Sequence, residues 1–151
     1  MNSKSKTAFW IRRTGRAKLE DTAPEGGFDE FVKWAGIDGL LEKPQPVRDE
    51  SGDWTFRPDR YLAGIWQTYY HIDGPSHWSP WARARDDWQD RTLRLVTGKR
   101  TLRIDSPLLE KRLWPHVLSC VVYARVDPFM AKSPPGFAWT SPDHRSARLY
   151  A

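Results

Sequence analysis

The chain has a single cysteine, Cys120, which excludes an internal disulfide and a cysteine-based zinc cluster. It sits within Val117-Leu118-Ser119-Cys120-Val121-Val122, where a thiol serves as a small buried hydrophobe rather than as a nucleophile. No apolar run reaches the length that crosses a bilayer. The stretch Ala8 to Ile11, after a basic start, is too short for a secretory signal. A cytoplasmic protein with no membrane partner is therefore expected. Glycine-rich phosphate loops, Gly-x-Ser-x-Gly elbows, repeats, heptads and low-complexity blocks are all missing. With none of these, a protein that is not an enzyme and carries no cofactor is the leading expectation.

What is present starts with tryptophan: nine in 151 residues. Core building rarely uses so many, because each buried indole N–H needs a partner, and stacking on bases or on a partner's side chains would use the excess. The length fits one domain, 1–151, able to bury ~70% of the surface that its unfolded chain exposes. Residues 1–7 are expected to be flexible and residues 128–146 rich in loops. The net charge of +5 is unevenly spread. Residues 1–20 hold six Lys/Arg against one acid, residues 21–50 eight acids against three Lys/Arg, and residues 81–151 thirteen Lys/Arg against seven acids. Such a distribution can give one cationic face that steers polyanions.

The expected fold class is α+β, with two or three short helices packed on a mainly antiparallel sheet. Its central element is expected to be a hairpin at 92–104. Leu93, Leu95, Leu102 and Ile104 alternate with Arg94, Val96 and Arg103, and Gly98 supplies the turn. That reading puts Arg94 and Arg103 on a wet face. Ala8 to Arg13 reads as a first strand. Phe28, Phe31, Val32 and Ala35 recur at helical spacing. Val47–Asp49 and Asp53–Phe56 flank a turn as a second hairpin. The segment from Asp59 reads as a helix capped by Asp59 or, in its second half to Ile72, as a strand, and the strand is favoured. Ser79 and Pro80 start a helix that is expected to end near Gln89. Ser106 and Pro107 give the same signal for a helix through Leu113, which Pro115 stops or kinks. Val117–Val126 reads first as a buried strand and second as a buried helix. The last strand is expected at 147–150.

Three constellations carry chemistry. The densest basic–aromatic stretch is 78–103, where Trp78 and Trp81 offer stacking platforms and Arg83, Arg85, Arg94, Lys99, Arg100 and Arg103 offer cations for phosphates. It predicts a non-catalytic binding protein whose partner is nucleic acid or a nucleic-acid-associated protein. Asp86, Asp87 and Asp90 interrupt the patch. A small inhibitor or adaptor of phage or plasmid type, acting by protein–protein contact, is the alternative, since tryptophan and arginine also dominate protein hot spots. The second constellation is His71-x-Asp73 with a distant His144 (or His116), the ligand pattern of a two-histidine, one-carboxylate metal site, with Arg145 or Arg148 holding an acidic co-substrate. The third is acid–base chemistry by His77, His116 or His144 with Asp86, Asp87 or Asp90. Spacing alone fixes no such pair.

Overall fold

The structure is a computed structural model and describes residues 24–74, 77, 79–126 and 132–151. The strand expected at Ala8 to Arg13, residues 1–7 and Trp78 lie outside the described residues. In chain order the described elements are α1 (Pro24–Trp34), β1 (Leu41–Glu42), β2 (Val47–Arg48), β3 (Thr55–Phe56), β4 (Arg60–Leu62), β5 (Thr68–Asp73), α2 (Pro80–Thr97), β6 (Arg100–Asp105), α3 (Trp114–Tyr123), β7 (Phe137–Trp139) and β8 (Ser146–Leu149). The class is α+β, as expected. Six strands form one sheet in the order β1-β4-β5-β6-β8-β7, and β2 and β3 pair as a separate hairpin. The margins of the large sheet are antiparallel, while β5, β6 and β8 at its centre run parallel. Parallel neighbours need a long crossover, and α2 supplies it between β5 and β6.

The sheet has two buried faces of opposite chemistry. Tyr70 and Ile72 of β5, Leu102 and Ile104 of β6, and Ala147 and Leu149 of β8 pack with Phe28, Phe31, Val117 and Val121 of α1 and α3 in the main core. The alternate residues Asp73, Arg103 and Arg148 are just as buried, and they lie under α2. Helix α1 is also pinned by charge, because Arg60 of β4 clasps Asp29 through Nε at 2.8 Å and Nη2 at 3.0 Å, a bidentate pairing.

The hairpin expected at 92–104 does not form. Thr92 to Thr97 are the last turns of α2, which is 18 residues long. Strand pairing would bury Leu93 and Leu95 together, but Leu93 is 0% exposed and Leu95 is 63% exposed, a helical arrangement. Ser79 caps the helix by accepting from the Ala82 N–H, Pro80 occupies the first turn, and nothing between them and Gly98 breaks it. Gly98 terminates α2 in the left-handed region (φ 68°) instead of turning a hairpin.

Three further expectations change. The segment after Asp59 enters strand β4, and the Asp59 carboxylate caps no helix but accepts the Ile72 N–H at 2.8 Å. Ser106–Leu109 is a single 3-10 turn followed by another at Lys111–Leu113. Pro115 then stands in the first turn of α3 instead of ending a helix, so 114–123 is helical although β-branched. The hairpin of β2 and β3, the strand at 68–73, the first helix and the last strand follow the expectation. Cys120 is buried, and burial pushes its thiol up to about 11, which keeps it protonated and unreactive near neutrality.

Gly136 joins β7 to the chain end. Its φ is +74°, a Cβ built on it would stand 2.9 Å from the Tyr150 carbonyl oxygen, and its own carbonyl accepts the Tyr150 N–H at 2.7 Å. Gly52 has φ +76° but open space around it. Gly136→Ala is therefore expected to cost about 1–3 kcal/mol of stability in denaturant unfolding, and Gly52→Ala clearly less. Equal losses would contradict the close approach of β8.

Candidate functional site

The parallel strands β5, β6 and β8 end together, and their two ends are chemically opposite. At the carboxyl ends, Asp73 of β5, Arg103 and Asp105 of β6, and Arg148 of β8 meet Asp86, Gln89 and Asp90 of α2, all of them buried. Arg103, with 1% exposure, sits at the centre. Its Nε donates to both oxygens of Asp90 at 3.0 Å, its Nη1 to Asp73 Oδ1 at 3.1 Å, and its Nη2 to Gln89 Oε1 at 3.0 Å. Arg148 donates to Asp73 Oδ2 at 2.8 Å and to Asp86 Oδ2 at 3.2 Å. His77 Nδ1 closes the top, 3.0 Å from Asp86 Oδ1 and 3.4 Å from Asp73 Oδ1. Of the histidine–carboxylate pairs weighed above, His77 with Asp86 is one that the fold brings together.

Asp86 and Asp90 are shifted in opposite directions. Burial works to raise Asp86, but the hydrogen bond from His77 and the charges of Arg103 and Arg148 outweigh it, so its pKa lies below the ordinary value. Burial raises Asp90, Arg103 only partly offsets that, and Asp73 and Asp86 push it further up. Of the two, Asp90 is therefore the more readily protonated. Arg103 is held protonated: burial opposes its charge, but Asp90, Asp73 and Asp86 more than compensate.

Asp73, His77 and Asp86 are the described residues whose potential ligand atoms all lie within 4.8 Å of one another. A metal there would use Asp73 Oδ1 and Asp86 Oδ1. Arg103 Nη1 already stands 3.1 Å and 3.2 Å from those two oxygens, and it supplies the positive charge that a metal would bring. The cluster is a closed ion network. The set His71, Asp73 and His144 is not assembled. His144 precedes the amino end of β8, whereas Asp73 is paired with Asp105 at the far end of β6. Four residues of strand between those levels span ~13 Å. His144 instead stacks on Trp139, with centroids 4.9 Å apart and planes at 10°, while buried His71 lies beside the Phe56 ring.

At the amino ends the same three strands open into a cavity of about 250 Å³ lined by Trp66, Gln67, Gly98, Lys99, Arg100, Arg125 and Arg145. Gln67 leads into β5, Lys99 and Arg100 into β6, and Arg145 into β8, while Arg125 follows the end of α3. All four cations are tethered by neutral oxygens. Lys99 Nζ donates to Gln67 Oε1 at 2.7 Å, Arg125 Nη1 to the Trp66 carbonyl at 2.7 Å and Arg145 Nη1 to the Gly98 carbonyl at 3.2 Å. Arg100 Nη1 donates to the Ala124 carbonyl, and its guanidinium lies 5.6 Å over the Trp139 ring. Among the described residues, no carboxylate comes within ion-pair distance of any of the four.

One structural role for these cations is to cap helices, since α2 ends at Gly98 and α3 at Ala124. Each helix C-terminus presents about half a negative charge. Two such ends offset only about one of the four positive charges, and among the described residues no carboxylate pairs with the rest. The arginines accordingly repel one another. Burial and then the charges of Arg145 and Arg125 lower the pKa of Arg100, although an arginine remains charged throughout the physiological range.

The basic–aromatic stretch 78–103 is therefore not one surface. Trp81, half exposed, lies near the start of α2 with Arg85 5.3 Å over its ring, and Arg83 lies over Tyr150. Arg94 bonds Ser146 Oγ at 3.2 Å and pairs with Asp143 at 3.3 Å. Lys99 and Arg100 stand at the other end of α2, ~27 Å from Trp81 at 1.5 Å per residue. Arg103 is buried in the ion network rather than on a wet face. Of the residues singled out from the sequence, Lys99 and Arg100 line the cavity, and so does Arg145, which was weighed there only as a clasp for an acidic co-substrate. Gln67 and Arg125 join them from two other segments, and no local pattern marks them. Comparison with protein-family models, with curated proteins and with solved structures gave no match.

The ion network makes a prediction with opposite signs at two carboxylates. Asp86 has a lowered folded pKa, so its stabilisation is present at neutral pH and is lost as pH falls through the carboxylate range. Asp90 has a raised folded pKa, so its contribution is greatest when it is protonated and falls as pH rises from about 4. In denaturant melts at pH 7, Asp86→Asn is expected to lose about 3–5 kcal/mol, the cost of breaking a buried pair. Asp90→Asn, which keeps an acceptor for Arg103, is expected to lose less than half as much. Equal losses would contradict this division of charge.

Proposed function

We propose that this protein binds nucleic acid by capturing phosphate in the cavity at the amino ends of β5, β6 and β8. The observation that carries the reading is the convergence of Lys99, Arg100, Arg125 and Arg145 on one cavity with no carboxylate in its lining among the described residues. A phosphate oxygen is the natural acceptor for such a set, because guanidinium–phosphate bonds are charge-assisted and arginine presents its donors as a planar fork. The amide of Gln67 adds a neutral donor at the rim, and Trp66 places an indole ring beside the cations. Rings next to cations favour a polymer of bases over a bare polyanion, since bases stack and add affinity that salt does not screen. Arg83 and Arg85 stand over rings at the other end of α2 and have no part in this contact.

Fluorescence anisotropy with labelled single- and double-stranded DNA and RNA tests the reading at about 50 and 200 mM salt, where phosphate-driven binding weakens steeply. Arg145→Ala and Arg125→Ala remove exposed side chains. Each is expected to weaken binding to every sequence alike and to reduce the salt slope by about one. Arg83→Ala is expected to leave both unchanged. Binding that ignores salt, or that survives Arg145→Ala with its slope intact, would overturn the proposal. A protein that binds none of the polymers at low salt would move the reading to a protein partner.

A further inference from the structure

The shape and charge of the cavity narrow the ligand class further, on the premise that phosphate is what it binds. A phosphodiester inside a strand carries one negative charge, has two unesterified oxygens and must both enter and leave its site. A groove built for it spreads its cations along a track. Here Lys99, Arg100, Arg125 and Arg145 converge on one cavity of about 250 Å³, bounded by three strand starts and by the ends of two helices. Their positive charge exceeds what the helix ends offset by more than a diester can neutralise. A phosphomonoester carries −1.5 to −2 charges at pH 7 and presents three strong acceptor oxygens.

The donors in the cavity fit three oxygens better than two. Arg125 and Arg145 each bond one backbone carbonyl through Nη1, which leaves the rest of each guanidinium available. Lys99 spends one N–H on Gln67 Oε1 and keeps two, and that bond leaves the Gln67 amide N–H groups to donate. Arg100 Nε is buried without an acceptor among the described residues, a state that calls for an oxygen from a water, an ion or a ligand. Gln67 also adopts φ 42°, a left-handed conformation that a residue with a side chain holds only when its surroundings impose it, and such strain gathers at ligand clamps.

We propose that the cavity takes a terminal phosphomonoester, the phosphorylated end of a nucleic-acid strand, in preference to internal phosphodiesters. Lys99, Arg100, Arg125 and Arg145 hold its oxygens, Gln67 donates at the rim, and the first base beyond the phosphate lies against the Trp66 indole.

The test compares one single-stranded oligonucleotide in three forms, with a 5′-phosphate, with a 3′-phosphate and with hydroxyls at both ends, on the full chain at about 150 mM salt. At least one phosphorylated form is expected to bind about tenfold or more tightly than the hydroxyl form, the effect of an added charge-assisted contact. Inorganic phosphate is expected to compete for that difference, and a nucleoside monophosphate to compete better if the Trp66 indole takes a base. The preference is expected to shrink as pH falls from 7.5 to 5.5, because the monoester loses a charge near pH 6, while binding of the hydroxyl form changes little. Arg145→Ala, at an exposed position, is expected to abolish the preference without disturbing the fold. Arg100→Lys keeps the charge but loses the Nε donor, and is expected to reduce the preference. Equal binding of all three forms, still salt-dependent and still weakened by Arg145→Ala, would overturn the terminal-phosphate inference and leave phosphate capture standing. No binding of any form at low salt would overturn both.

Discussion

The contact on which the rest of the structure depends is the clasp of Arg103 on Asp73, Asp90 and the edge of α2. Buried at the middle of a six-stranded sheet, this guanidinium has no water to solvate it, and charge in such a place is tolerated only when paired and fully hydrogen-bonded. The chain meets that demand from two directions, with Asp73 from β5 and Asp86, Gln89 and Asp90 from α2, while Arg148 of β8 shares the carboxylates of Asp73 and Asp86. A network of this kind is not in itself a large source of stability, because desolvation offsets most of the Coulombic gain. What it does fix is position. Helix α2 has one rotation and one height over the parallel strands at which its acidic stripe meets Arg103 and Arg148.

That fixed height sets the other end of the molecule. With Asp86 and Asp90 held at the carboxyl ends of the strands, α2 runs back along the sheet and releases the chain at Gly98, beside the starts of β5 and β8. Lys99 and Arg100 then face Arg145 and Arg125 across a cavity that none of them would form alone. In open sheets with parallel strands, ligands usually sit beyond the carboxyl ends. Here the ion network fills that position, and the unpaired charge lies at the opposite end. One end of the strands is neutralised from within, and the other keeps four cations without a carboxylate partner among the described residues.

How far the sequence reveals this depends on the segment. The alternation Leu102-Arg103-Ile104 does mark a strand with two unlike faces, and the Ser79-Pro80 start does open a helix. What composition could not show is that the arginine face is covered. Charge opposite an apolar face reads as wet by default, and only a partner segment of matching charge changes that. The partner was visible as Asp86, Asp90 and Leu93 at helical spacing, but Leu93, Leu95 and Leu102 also fit alternation, and the two periods compete over so short a window. Val117–Val126 misleads for a different reason. Its β-branched residues favour a strand, yet the burial of Val117, Cys120, Val121 and Ala124 on α3 overrides propensity. The cavity was half legible. Lys99 and Arg100 stand out as cations at a turn and Arg145 as a clasp for an acidic group, whereas Gln67 before β5 and Arg125 after α3 are brought to them only by the tertiary fold, which no local pattern encodes.

The most direct measurement is a ¹H–¹⁵N spectrum of the arginine Nε–H groups, recorded through a titration with inorganic phosphate. The account predicts that the Arg100 and Arg145 signals shift with saturation, while those of Arg103 and Arg148 stay sharp and unmoved, because their guanidinium groups are already bound within the protein. Shifts at Arg103 or Arg148 with none at Arg100 would contradict it, and would place the anion site at the carboxyl ends of the strands instead.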